Sequence, residues 1–167
     1  MRLHSFPTRR SSNLRREADR RGVAQHRLVF APRVGVAEHL ARHQLADLFL
    51  DTLPYNAHTT GSDALRAGVP MVTCMGNSFA SRVAAGLLHA AGLPDLVTHS
   101  LEDYFALALR LARDPALLAS SRAVLADGAK PLALFDLDRF RRNIEAAYLT
   151  MYDRLQAGEQ PASFSVA

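Results

Sequence analysis

The segment from Leu45 to Thr73 constrains the fold more than any other part of the chain. Leu45 to Leu50 is a short apolar run that ends at Asp51 and reads as a strand. A loop containing Pro54 and Asn56 follows, and Thr59 to Ala67 then carries helical apolar spacing up to a stop at Gly68. Val69-Pro70-Met71-Val72-Thr73 reads as another strand, with Pro70 at its first residue, where a missing N–H is tolerated. Strand, helix and strand in this order make a βαβ unit, whose strands run parallel. Ligands on such sheets bind beyond the carboxyl ends of the strands, and His58 to Thr60 lie at such an end.

The first backbone N–H groups of a helix have no intrahelical partner, so its N-terminus is a ready anion site. His58, Thr59 and Thr60 add side-chain donors there, and Asp63, four residues after Thr59, shares the face of that first turn. A phosphate with a neighbouring sugar hydroxyl suits this arrangement. The ordinary alternative is a plain cap, in which one threonine satisfies the orphan N–H groups for ~1 kcal/mol and Asp63 offsets the helix dipole. That accounts for one hydroxyl and leaves three successive donors after a long loop unexplained. Spacing alone leaves both readings open.

The remaining chain extends the alternation. Leu14 to Arg21 reads as a charged helix closed by Gly22, and Arg27 to Ala31 as a short buried strand. Val36 to His43 fits a helix. Ser78 is expected to cap a helix reaching about Ala91, ended by Gly92 and Pro94, before a short strand candidate at Asp95 to Val97. Helices are expected over Leu101 to Arg113 and Pro115 to Ala126, and a final one, capped by Asp136 or Asp138, to about Leu155. No internal repeat of 20–50 residues is present. The class is therefore α/β, a Rossmann-like parallel sheet flanked by helices.

Charge is uneven along the chain. Residues 1–30 hold eight arginines against Glu17 and Asp19, a net of +6, while the rest holds 12 Lys+Arg against 14 Asp+Glu, a net of −2. The basic pI of 9.8 is thus a property of the N-terminal segment. A basic arm can bind nucleic acid or anionic lipid, but a solvated tail is the preferred reading and no nucleic acid is expected as a partner. Met1 to Asn13, Arg/Ser-rich and without period, is expected to be loop or disordered. It could be a transit peptide or the ragged start of a truncated reading frame, and the latter is favoured for a reason given below. No apolar run approaches the ~20 residues of a membrane span. A single cysteine, Cys74, excludes an intramolecular disulfide and fits a reducing, cytoplasmic setting.

Other candidates are weaker. His39 and Arg42 are three apart and share a helix face, yet a solvated face with Glu38 and His43 explains them as well. Arg82, early in its helix, suits a phosphate or, more ordinarily, a salt bridge. Cys74 has no histidine base nearby in sequence and reads as an inert thiol. The seven histidines show no metal-ligand spacing with a third carboxylate, and neither a G-x-G-x-x-G nor a P-loop motif occurs.

One further pattern is specific. Gln44-Leu45-Ala46-Asp47, Leu50-Asp51-Thr52, Asn56 through Leu65, Ala67 through Thr73 and Ala80 through Ala84 together closely resemble the O-linked N-acetylglucosamine transferase family. That family includes the SPINDLY-like proteins of plants and bacterial relatives with tetratricopeptide repeats. The resemblance runs from about Leu14 to Gly158, which divides the chain into residues 1–13, a donor domain over 14–158 and a tail over 159–167. It implies a GT-B fold, with this chain its C-terminal, donor-binding half. It also implies that His58, Thr59 and Thr60 meet the donor's diphosphate and Asp63 its ribose. His39 resembles the histidine packed at the uracil and ribose, and Arg42 the arginine on the same helix. Chemistry without a metal is implied too, the helix dipole and threonine donors replacing the cation at the leaving diphosphate.

Two departures from the family pattern matter. Val36 stands where many members carry a lysine, three residues before His39. The repeat array, the N-terminal Rossmann domain and the first strand–helix unit of the donor domain are expected before Leu14 and are not there, which is why residues 1–13 look like a broken start. The resemblance implies an inverting transferase of N-acetylglucosamine, or of a sugar such as fucose, from a UDP- or GDP-sugar to Ser/Thr of an acceptor protein. The chain is expected to be inactive alone, its catalytic residues lying in the missing domain or on a separate chain. The other reading is a stand-alone nucleotide-diphosphate-binding module or split subunit.

Overall fold

The computed structural model describes residues 9–126 and 132–166. The chain divides into two units, Met1–His39 and Leu40–Ala167.

The first unit holds helix α1 (Arg9–Arg20), a 3-10 turn (Gln25–Arg27) and the start of helix α2 (Val36–His43). α1 opens at Arg9, so residues 9–13 are helical rather than the loop expected of Met1 to Asn13; residues 1–8 lie outside the described residues. Glu17 pairs with Arg20 and Arg21, and Arg16 donates to the Asn13 amide oxygen. Gly22 takes φ +71 and closes the helix as expected. The strand expected over Arg27 to Ala31 does not form: Arg27 ends the 3-10 turn, and Val29 is 88% exposed. An apolar triplet becomes a buried strand only where a neighbouring strand and a core receive it. No residue described in this unit is buried.

The second unit is built on a parallel sheet of three strands, β1 (Phe49–Leu50), β2 (Met71–Cys74) and β3 (Val97–Thr98), in that order. Phe49 pairs with Met71 and Thr73 with Val97, which makes β2 central, and all four of its residues are buried. Helix α3 (Thr59–Arg66) connects β1 to β2, and α4 (Val83–Ala90) lies between β2 and β3. Leu65, Met71, Val72, Leu88, Leu96 and Leu111 form the centre of the core. Gly61 lets α3 come close to β2: an added Cβ would lie 3.2 Å from the Met71 Sδ and 3.3 Å from the Leu87 Cδ1.

Several boundaries differ from expectation for local reasons. β1 is only two residues long, because Leu45 and Ala46 continue the turn off α2 through bonds to Arg42 and His43, leaving Leu45 87% exposed. Pro70 stands just before β2, where its carbonyl accepts the Phe49 N–H. The helix expected from Ser78 is broken into a 3-10 turn (Phe79–Ser81) and α4. Ser81 bonds back to Ser78, and its carbonyl accepts the Gly76 N–H at 2.9 Å, which draws it off the helical ladder. Asp95 and Leu96 belong to another 3-10 turn (Pro94–Leu96), and the strand starts at Val97. Helices α5 (Leu101–Arg113) and α6 (Pro115–Ala126) have the expected bounds, and Asp136 rather than Asp138 caps α7 (Leu137–Gln156). In the tail, Arg154 binds Glu159, and residues 159–166 form no helix or strand.

Candidate functional site

The loop from β1 to α3 is held by a side chain that the local sequence shows only as the end of a strand. Asp51 is 5% exposed, at the carboxyl end of β1. Its Oδ1 accepts the N–H of Thr52 at 2.8 Å and of Ala57 at 2.7 Å, and its Oδ2 accepts the Thr73 hydroxyl at 2.6 Å. Within the loop the Thr52 hydroxyl donates to the Tyr55 carbonyl, and Asn56, buried, donates from Nδ2 to the Thr52 carbonyl. The Leu53–Pro54 peptide bond is cis. Tyr104, from α5, donates its hydroxyl to the Asp51 carbonyl at 2.9 Å. Its phenol is pushed above the usual value of 10.0, first by burial and then by the negative charges of Asp51 and Cys74.

This loop delivers His58 as the N-cap of α3, with φ −105 and ψ −97 and no side-chain capping bond. Thr59 and Thr60 are therefore the first two helical residues, and neither serves as the N-cap. The plain-cap alternative required one of them to do so. Both threonines are exposed, and no acidic residue stands in the first turn to neutralise its positive end. The His58 ring is stacked on Tyr55 (centroids 4.9 Å apart) and meets the edge of Phe79 at 6.0 Å. Its Nε2 is buried with no hydrogen-bond partner. Such an end can take an anion through N–H groups, two hydroxyls and an imidazole fixed between aromatic rings. Asp63 lies one turn further on, half-buried.

The structure thus gathers His58, Thr59, Thr60 and Asp63 at one helix start. His39 and Arg42 are on a different element, α2, one turn apart and each half-buried; the division between the units falls between them. Arg82 is exposed at the junction of the 3-10 turn and α4. Cys74 is a buried free thiol at the end of β2. Among the described residues no group of three or more His, Cys, Asp or Glu is placed to hold a metal ion. No helix among them is long and apolar enough to cross a membrane.

Comparison with known proteins gives this geometry a context. Residues 1–144 match the family described as Glycosyl transferase family 41. The chain is 38% identical over 156 residues to a UDP-N-acetylglucosamine--peptide N-acetylglucosaminyltransferase of Caenorhabditis elegans, covering 93% of this chain and 14% of that protein. It is 36% identical over 165 residues to the probable enzyme SEC of Arabidopsis thaliana, covering 98% and 17%. The chain thus spans less than a fifth of the length of these curated relatives. Among solved structures it resembles a mutant O-GlcNAc transferase of Thermobaculum terrenum, with a TM-score of 0.80 and 38% identity over 88% of this chain and 28% of that one. The α/β class and the Rossmann-like sheet of a GT-B enzyme agree with that likeness. On its sequence match and its shared architecture, the chain belongs to glycosyl transferase family 41.

Proposed function

We propose that this chain is the donor-binding part of an inverting protein O-glycosyltransferase, holding a UDP-sugar by its diphosphate at the start of α3. The observation that carries the reading is the α3 terminus itself: it has neither a side-chain cap nor an acid in its first turn, and two threonines stand exposed there. The names of the relatives support N-acetylglucosamine as the sugar and a peptide hydroxyl as the acceptor. His58, Thr59 and Thr60 bind the diphosphate, and Asp63 accepts from a ribose hydroxyl. Roles for His39 and Arg42 at the nucleoside rest on the family likeness of their helix. The helix dipole and hydroxyl donors stabilise charge on the departing diphosphate without a metal ion.

Transfer needs an acceptor site and catalytic groups on further polypeptide, so the 167 residues alone bind donor and move little or no sugar. A second reading is a stand-alone nucleotide-diphosphate-binding module or split subunit that works with a separate chain. Transfer regained on mixing with such a chain distinguishes the two.

Calorimetric titration with UDP tests the shared core. Wild type is expected to bind in the micromolar to low millimolar range, about −8 to −4 kcal/mol, equally with and without EDTA. The double variant His58→Ala/Thr60→Ala is expected to lose that binding. A well-folded wild type that takes up no UDP rules the reading out.

A further inference from the structure

Beneath the start of α3 a line of buried polar groups crosses all three strands. Thr98 on β3 donates its hydroxyl to the Thr73 carbonyl on β2 at 2.9 Å, and the Thr73 hydroxyl donates to Asp51 at the end of β1. Thr73 is 0% exposed, so neither hydroxyl bond trades with water. The Asp51 Oδ1 then takes the first and the last N–H of the loop between Thr52 and Ala57. One oxygen atom thereby closes the loop into a ring, and the residue after its second anchor is His58.

We propose that Asp51 and Thr73 are positioning residues: they set the place of the α3 N-terminus from the sheet, before any ligand arrives. This rests on the donor-site reading only for its functional consequence. A buried carboxylate is costly unless every oxygen is satisfied, and here both are, by two backbone donors and one hydroxyl. Truncation therefore frees two loop amides and a buried threonine hydroxyl together. Sites of this kind tolerate displacements of only about 0.5 Å before binding weakens.

The chemistry separates geometry from charge. In Asp51→Asn the amide oxygen can keep both backbone N–H bonds, and the Thr73 hydroxyl can rotate to accept from the new NH2. Asp51→Ala keeps none of these bonds. Thr73→Val leaves one carboxylate oxygen without a partner, and Thr73→Ser restores the hydroxyl.

Two readouts on the full chain decide the matter: UDP affinity by calorimetry and amide hydrogen exchange. UDP affinity is expected to fall about tenfold or more in Asp51→Ala and Thr73→Val, and to stay within about threefold of wild type in Asp51→Asn and Thr73→Ser. Exchange at the Thr52 and Ala57 amides is expected to accelerate about tenfold or more in Asp51→Ala, with Leu88 and Leu111 in the helical core unchanged. Should Asp51→Ala not fold, the Thr73 pair carries the test. Unaltered UDP binding and exchange in Thr73→Val and Asp51→Ala would overturn the proposal. So would an equal loss in Asp51→Asn and Asp51→Ala, which would make charge rather than position the property in use. If wild type binds no UDP, the donor reading falls, and exchange at Ala57 alone decides whether Asp51 sets the loop.

Discussion

Three helices of the second unit follow the carboxyl end of a strand; α4 is entered through the 3-10 turn that Ser78 caps, while α3 and α5 treat their N-termini in opposite ways. α5 follows β3 and closes its own end: Ser100 accepts the Asp103 N–H at 3.0 Å and donates its hydroxyl to the Asp103 carboxylate, while Glu102 and Asp103 face the dipole. α3 follows β1 and does none of this. Its N-cap is a histidine that makes no capping bond, and its first turn is Thr59, Thr60 and a glycine. α6 and α7 side with α5, since Asp114 and Asp136 accept N–H groups at their starts. A terminus satisfied by its own side chains serves stability, and the one left open at α3 is where the diphosphate is proposed to bind.

The strongest way to break this contrast is to make α3 resemble α5. Thr60→Asp places a carboxylate where the diphosphate is proposed to sit. Like charges about 4 Å apart interact by roughly 4 kcal/mol at an effective dielectric of 20, so UDP affinity is expected to fall about 100-fold or more. The same charge favours the helix dipole by about 0.3–1 kcal/mol, so the unfolding midpoint should hold or rise. Binding and stability then move in opposite directions. Retained UDP binding would show that the ligand does not use this terminus.

The reverse change addresses α5. Ser100→Ala removes the cap and is expected to cost about 1 kcal/mol, read as a lower denaturant midpoint, with UDP affinity unchanged. A drop in UDP affinity as large as the drop in stability would mean that the two starts are not independent, and the contrast would lose its meaning.

What was legible in the sequence follows the range of each interaction. α5 and α6 have the bounds expected of Leu101 to Arg113 and Pro115 to Ala126, because caps such as Ser100 and Asp114 and apolar spacing act within a few residues. The gathering of His58, Thr59, Thr60 and Asp63 was readable for the same reason, all four lying within about one and a half turns. The strand expected at Arg27 to Ala31 failed because strands depend on partners that a local window does not contain. Asp51 reads locally as no more than a strand end, since its role depends on Thr73, 22 residues away and brought alongside by the pairing of β1 with β2. A polar residue at the close of a buried strand was the signal available. For His39 and Arg42 their helix was legible to the residue, but nothing local relates that helix to α3.

Tyr104 sharpens the contrast at the smallest scale, because it belongs to the first turns of α5 and yet serves the approach to α3. Its hydroxyl holds the Asp51 carbonyl, where the loop begins. Tyr104→Phe is expected to lower stability by about 1 kcal/mol near neutral pH through the lost hydrogen bond. The pH dependence has a definite sign. Burial, then the charges of Asp51 and Cys74, raise the phenol in the folded protein, so the neutral form is favoured there over the unfolded chain. That contribution is complete below the ordinary value near 10.0 and is lost as pH rises through the folded value. Wild type is therefore expected to lose its advantage over Tyr104→Phe above about pH 10, measured as denaturant midpoints for both proteins at pH 7 and pH 10.5. An advantage that stays constant across that range would mean the hydroxyl ionises in the folded protein as freely as in the unfolded one. The bond from α5 to the loop would then be too weak to hold it.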